Sequence, residues 1–465
     1  MSKLDLSARA AAVLGVLVLA LTSCGNPPPP PPSSQTPAPV SAAPVPRAAP
    51  TPDIPEISRL INDAIAANRL PGAVVAVGHA GRVVFQRAYG VRKLAGEQDL
   101  DGAPGPAEPM TEDTVFDIAS LTKPLATATA VMQLSERVTV SVDEPLQTYL
   151  PAFNPSNDPQ RARVTVRMLL THTSGLPGDL DLRDPWGLEH ADKAEGVRRA
   201  LTTPLQSNPG AVFRYSDIGY VLLGALVETL TGEAEDVYVQ RAVFAPIGMT
   251  DTRYLPPAKA CGPHEIRGAA IAWAPGRAPA ACPAGTWSTD LLPHIAPTAR
   301  DEESRADPGR NPDIDHLLRG TVHDPTARRM GGVVGHAGVF STVADLNLFA
   351  QALLDRLAGR RSTFPLERST VQLMTSPQQP DGPDLRGLGW DIDTAHSRPR
   401  GTIFPVGTSF GHTGFTGTSL WIDPASDSYV VLLTNVIHLR GSRPVSDLQG
   451  DVATAAARAL HLPGG

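Results

Sequence analysis

The fold turns on residues 417–434: Gly417-Thr418-Ser419-Leu420-Trp421-Ile422, then Asp423-Pro424-Ala425-Ser426-Asp427, then, after Ser428, Tyr429-Val430-Val431-Leu432-Leu433-Thr434. Two runs rich in branched and aromatic side chains flank a turn-forming segment, which predicts an antiparallel hairpin. A second hairpin is expected near the other end of the chain, with Ala73–Gly78 and Arg82–Tyr89 around His79-Ala80-Gly81. Antiparallel hairpins do not build a parallel βαβ sheet. The economical arrangement is therefore α/β (α+β): one antiparallel sheet assembled from both ends of the body, about 53–118 and 330–465, flanked by helices. Ile57, Leu60, Ile61, Ala64 and Ile65 share one helical face, so Pro55–Leu70 reads as an amphipathic helix; Val343–Leu357 has helical spacing, and Val452–Leu460 reads as a small-residue terminal helix.

Between the two ends, about 119–329, the pattern is mostly helical. Candidate helices are Leu121–Leu134, Thr165–Thr171 and Asp217–Leu230. Within this lobe Pro256–Pro312 is rich in Pro, Gly and charge and has weak periodicity, so 256–312 is expected to be an insertion with little regular structure. A cleft between sheet and helical lobe is the natural place for a site.

The chain of 465 residues carries 40 Lys+Arg against 47 Asp+Glu and is 42% hydrophobic, which suits a globular body and argues against a nucleic-acid partner. After the first 25 residues no apolar run is long enough to span a bilayer. Lys3 and Arg9 precede an apolar run, Ala10–Leu21, and Leu21-Thr22-Ser23-Cys24-Gly25 follows. This resembles a bacterial lipoprotein signal. The resemblance implies that 1–23 is removed, that Cys24 is lipidated, and that the protein faces the periplasm or exterior, held at a membrane. The bland alternative is a secretory signal with an incidental cysteine. Pro27–Pro32 and the Ser/Ala/Pro stretch beyond it read as a stiff tether over 24–52. Cys261 and Cys282 could close a local loop in an oxidising compartment or stay as two free thiols; their spacing does not decide. Neither CxxC nor HExxH occurs, so no metal site is expected.

Chemistry enters with Ser120-Leu121-Thr122-Lys123. If Ser120 opens a helix, the i, i+3 spacing brings its hydroxyl and the Lys123 amine to one face, and Pro124 is tolerated in a first turn. Tyr215-Ser216-Asp217 and His412-Thr413-Gly414 follow in that order. Together these motifs resemble the serine β-lactamase and penicillin-binding protein superfamily. The nearest branch is the class C-type one, which includes D-alanyl-D-alanine carboxypeptidases and family VIII esterases. The resemblance runs from about Asp53 to the C-terminus. It extends to Leu169-Leu170-Thr171-His172-Thr173-Ser174-Gly175 and to Gly335-His336-Ala337-Gly338-Val339-Phe340-Ser341-Thr342.

The resemblance implies a serine β-lactamase-like fold and a cofactor-free acyl-enzyme mechanism. Ser120 would be the nucleophile, Lys123 an electropositive proton relay, and Tyr215 the general base. The backbone N–H groups of Ser120 and Phe415 would form the oxyanion hole. A tyrosine titrates near ~10, so Tyr215 serves as a base only if cations such as Lys123 depress it. Asp217 stands where Asn is usual and cannot donate an amide N–H, although it could also cap the following helix. His412 stands where Lys is usual and weakens the fixed cation for a substrate carboxylate. Thr413 and Gly414 complete that motif. His172 and His336 read as structural, and Trp390 as packing for the cleft wall. The expected substrate is a peptidoglycan D-alanyl-D-alanine stem, with small esters next and β-lactams third, acted on by a monomer. The rival reading is a catalytically silent lipoprotein that binds peptidoglycan.

Overall fold

The computed structural model describes residues 53–379 and 383–463. The expected signal and tether, Cys24 included, lie outside them. Eight strands form one antiparallel sheet: β1 Gly72–His79, β2 Arg82–Lys93, β3 Glu108–Pro109, β4 Leu385–Arg386, β5 Asp391–Asp393, β6 Phe410–Thr413, β7 Ser419–Asp423 and β8 Ser428–Leu433. Their spatial order is β4-β5-β6-β7-β8-β1-β2-β3, so the two ends of the chain meet at the β8–β1 pair. There Val74 faces Leu433 and Val77 faces Val430.

Strand periodicity explains how one sheet serves two cores. Val74 and Ala76 point to one side, with Leu420, Val431 and Leu433, and pack against the helical lobe and α5 (Val343–Leu357). Val75 and Val77 point to the other, with Trp421, Val430 and Leu432, and meet α1 (Pro55–Ala66) and α6 (Ser446–Ala459). A strand buried on both faces must be apolar at successive positions, which is why β1 and β8 read so clearly in sequence. Each such fully buried aliphatic side chain contributes about 1.5–3 kcal/mol by leaving water.

Three local features depart from the sequence reading. The expected continuous helix Leu121–Leu134 is a tight turn at Ala119–Leu121, then a widened π-type segment at Lys123–Ala128. Only Thr129–Glu136 (α2) is regular α-helix. Pro124 supplies no backbone N–H, and Thr129 Oγ1 donates to the Pro124 carbonyl at 2.8 Å in the widened turn. At Asp217 the N-cap is Ser216, whose Oγ accepts from Gly219 N, so Asp217 is the first residue of α4 (Asp217–Thr231) rather than its cap. Trp390 does not line the cleft. It lies in the core, 1% exposed, edge-on to Phe410 at 5.2 Å.

The 256–312 segment has no strand longer than four residues, His264–Arg267 pairing with Ala270–Trp273. Cys261 and Cys282 are joined in a disulfide with Cα atoms 5.8 Å apart, resolving the choice that the sequence left open.

Candidate active site

Ser120 sits at the mouth of the widened helix, on a backbone turned sharply at Ala119 (φ +46°). Asp117 holds that turn, one carboxylate oxygen accepting from Ala119 N at 2.9 Å and the other from His323 N at 2.8 Å. The β6–β7 turn is stitched to the same segment. Thr416 Oγ1 donates to the Asp117 carbonyl and Thr418 Oγ1 to that of Ile118. Gly414 lies so close to this segment that a Cβ there would stand 2.4 Å from the Ile118 carbonyl oxygen, so no other residue fits. Phe415 follows directly and shares a cavity of about 480 Å³ with Ser120, Tyr215, Asp217, His412 and Thr413.

Lys123 is fully buried. Its Nζ donates to Ser120 Oγ at 2.9 Å and to the His336 carbonyl at 3.0 Å, and it pairs with Asp217 Oδ1 at 2.6 Å. The same ammonium stands 4.9 Å from the centre of the Tyr215 ring. Burial pulls the Lys123 pKa down, but Asp217 and Tyr215 more than offset it, and the net movement is upward. Lys123 is therefore a charged ammonium at rest.

Tyr215 is placed by its neighbours. Its ring stacks on His172 at 4.4 Å, and the Ser216 amide donates to His172 Nδ1 at 3.0 Å. That bond makes Nδ1 the acceptor and puts the His172 proton on Nε2. Burial, with Arg386 and Lys123 nearby, keeps His172 neutral by lowering its pKa well below the usual range. The Tyr215 hydroxyl hydrogen-bonds with both Lys123 and Ser120, yet its pKa is raised, because burial outweighs the ammonium and Asp217 adds to the rise. The expectation of a depressed tyrosine is thus corrected. At rest Tyr215 is a neutral phenol.

At the third motif the structure carries the weakened cation of the sequence reading further. His412 is 4% exposed, and its Nδ1–H donates to the Thr413 carbonyl at 2.8 Å. Burial, Arg386 and Lys123 lower its pKa well below the normal histidine value. It stays neutral at physiological pH and supplies no cation.

Several cleft residues carried no motif in the sequence. Asp179 is pushed up to about 6 by burial and by Asp217, to which it is hydrogen-bonded. Asp324 pairs with His336 at 2.7 Å while its Oδ1 also caps the helix Pro325–Arg329. Burial opposes a charged His336, but Asp324 prevails and raises its pKa. Ligand atoms of Asp217, Asp324 and His336 lie within 4.8 Å of one another, close enough for a metal ion. Each charge already has its counter-charge, however: Lys123 for Asp217 and His336 for Asp324. Arg386, equally unmarked in the sequence, also lines the cavity.

Comparison with known proteins agrees with this geometry. The β-lactamase family model matches residues 57–453. An Escherichia coli (strain K12) protein named "Putative D-alanyl-D-alanine carboxypeptidase" is 31% identical over 378 residues, covering 79% of this chain and 78% of the relative. A Bacillus subtilis (strain 168) protein named N-acetylmuramyl-L-alanine amidase is 32% identical over 394 residues, covering 82% and 81%. Among solved structures, a class C β-lactamase from Rhodobacter sphaeroides superposes with a TM-score of 0.58 at 18% identity, covering 87% of this chain and 99% of that one.

Proposed function

Since the chain belongs to the β-lactamase family and is a serine hydrolase of that fold, we propose that it removes the terminal residue of D-alanyl-D-alanine peptidoglycan stems through an acyl-enzyme at Ser120. The observation that carries this reading is the buried Ser120–Lys123–Asp217 chain beside the Tyr215 hydroxyl, opening into a cavity of about 480 Å³. A silent binding protein has no chemical need for a buried ammonium held against a serine hydroxyl.

With Lys123 charged and Tyr215 neutral, the tyrosine serves as a two-way relay. As Ser120 Oγ attacks the scissile carbonyl, its proton passes to Tyr215 Oη, and the phenolic proton passes to the leaving nitrogen. Tyr215 is neutral before and after. Lys123 stabilises the negative charge that develops on Oγ, and Asp217 holds the ammonium in place. The N–H groups of Ser120 and Phe415 take the oxyanion. Water then repeats the sequence to release the acyl group.

A second reading is favoured by the Bacillus subtilis relative: the same chemistry at the amide between a muramyl group and L-alanine. Digestion of defined muropeptides separates the two. Free D-alanine supports the carboxypeptidase, and intact peptide released from sugar supports the amidase. Neither product from folded protein would refute both. We further propose anchoring through lipidated Cys24; Cys24→Ala should then leave the membrane fraction, and an unlabelled, soluble wild type would contradict it.

A further inference from the structure

A second cavity, of about 320 Å³, lies between the helix Glu235–Val239 and the insertion that begins at Pro256. None of its lining residues lines the cavity that holds Ser120. One wall is apolar and already satisfied. Tyr254 and Trp287 are buried there, the Trp287 Nε1–H donates to the Pro256 carbonyl at 2.9 Å, and Val237 and Ala245 lie alongside. The volume suits a small ligand.

The polar side is not closed in the same way. Lys259 pairs with Asp236 Oδ2 at 2.5 Å, and Arg241 with Glu233 Oε1 at 2.5 Å, so these two cations have their anions. Arg253 has no acidic partner among the described residues. Its Nη2 donates to the Thr250 carbonyl, and its Nε is buried without a hydrogen bond. Asp236 Oδ1 is likewise buried and accepts from nothing. The cavity therefore presents one uncompensated cation, one unused N–H donor and one unused carboxylate oxygen. Buried polar atoms without partners are rare in folded proteins, and two lining one cavity mark a place where something is received.

These features select the ligand's chemistry. The excess charge favours an anion, and a guanidinium favours a carboxylate. Asp236 Oδ1 accepts an N–H from the same molecule. A free amino acid would bring an ammonium with its carboxylate and leave the excess charge in place. An N-acyl amino acid brings both the N–H and a net negative charge. We propose that this cavity is a second binding site, separate from the catalytic cleft, for a small apolar N-acyl amino acid. The carboxylate sits on Arg253, the N–H on Asp236, and the apolar side chain against Tyr254 and Trp287.

Calorimetric titration of the full chain tests this with racemic N-acetylleucine, its amide and 4-methylpentanoate. The wild type should bind the acid about tenfold or more tightly than the amide, the scale of one hydrogen bond to a charged group. It should bind 4-methylpentanoate severalfold more weakly than N-acetylleucine, because that acid lacks the N–H. Arg253→Gln should lower the affinity for the acid to that for the amide. Arg253→Lys keeps the charge and should retain part of the preference, which separates loss of the anchor from a folding defect. Saturating N-acetylleucine should leave the KM for p-nitrophenyl acetate unchanged. No binding at millimolar concentration, equal affinity for acid and amide, unchanged binding in folded Arg253→Gln, or competition with the ester would each overturn the proposal.

Discussion

Glu235→Gln should stabilise the protein at alkaline pH and do little in acid. Glu235 is fully buried, and Thr127 Oγ1 lies 2.7 Å from its Oε1 and 2.7 Å from the Gly335 carbonyl. A hydroxyl has one proton, and the Gly335 carbonyl can only accept. Thr127 therefore donates to Gly335, and the bond to Glu235 needs a proton on the glutamate. Burial accordingly raises the Glu235 pKa from 4.5 to about 7, against the pull of Lys193. The folded protein keeps this proton up to about pH 7, whereas the unfolded chain releases it near ~4.5. The stabilising contribution is full below ~4.5 and is lost as pH rises through about 7. Displacement from 4.5 to about 7 corresponds to a loss on the order of 3 kcal/mol. Glutamine mimics the protonated acid, can donate to Thr127, and does not ionise. Urea unfolding of both proteins from pH 4.5 to 9 should show the variant gaining on the wild type by that amount, mostly between pH 5 and 8. A difference that stays flat across the series would refute the reasoning.

Asp217→Asn removes the carboxylate that holds Lys123, and breaking a buried ion pair costs up to about 3–5 kcal/mol, less whatever the asparagine dipole recovers. Burial is then less opposed, so the Lys123 pKa falls and the alkaline limb of ester hydrolysis should move to lower pH; an unmoved limb counts against the pairing. Tyr215→Phe should reduce kcat/KM by about 10²–10⁴-fold while the thermal midpoint barely changes, because the ring keeps its stack on His172. Full activity in that variant would exclude the relay. Cys261→Ser should lower stability by roughly 3 kcal/mol, measured against wild type in oxidising buffer, and by nothing once both are reduced.

The sheet was legible because its central strands are buried on both faces and so are apolar at nearly every position, as in Tyr429–Leu433. The edge strands were not. Leu385–Arg386 and Asp391–Asp393 are two and three residues long, too short to carry a period. The π-type widening after Ser120 was also hidden, since Pro124 fits an ordinary first turn equally well. In the site, the motif residues come together around one cavity, as their spacing and order suggested. Their protonation states were beyond reach. Lys123, Tyr215 and His412 are displaced chiefly by burial and by charges brought close in the fold, Asp217 and Arg386 among them, and neither can be read from a string of residues. Asp179, Asp324 and Arg386 are charged residues with no motif, brought to the cleft by tertiary packing alone.

The most direct test is the mass of the protein after brief exposure to a fluorescent penicillin and, separately, to a p-nitrophenyl ester. An acyl adduct is expected on the peptide containing Ser120, absent in a folded Ser120→Ala variant that has also lost turnover. An adduct on another residue, or full turnover in folded Ser120→Ala, would contradict the account.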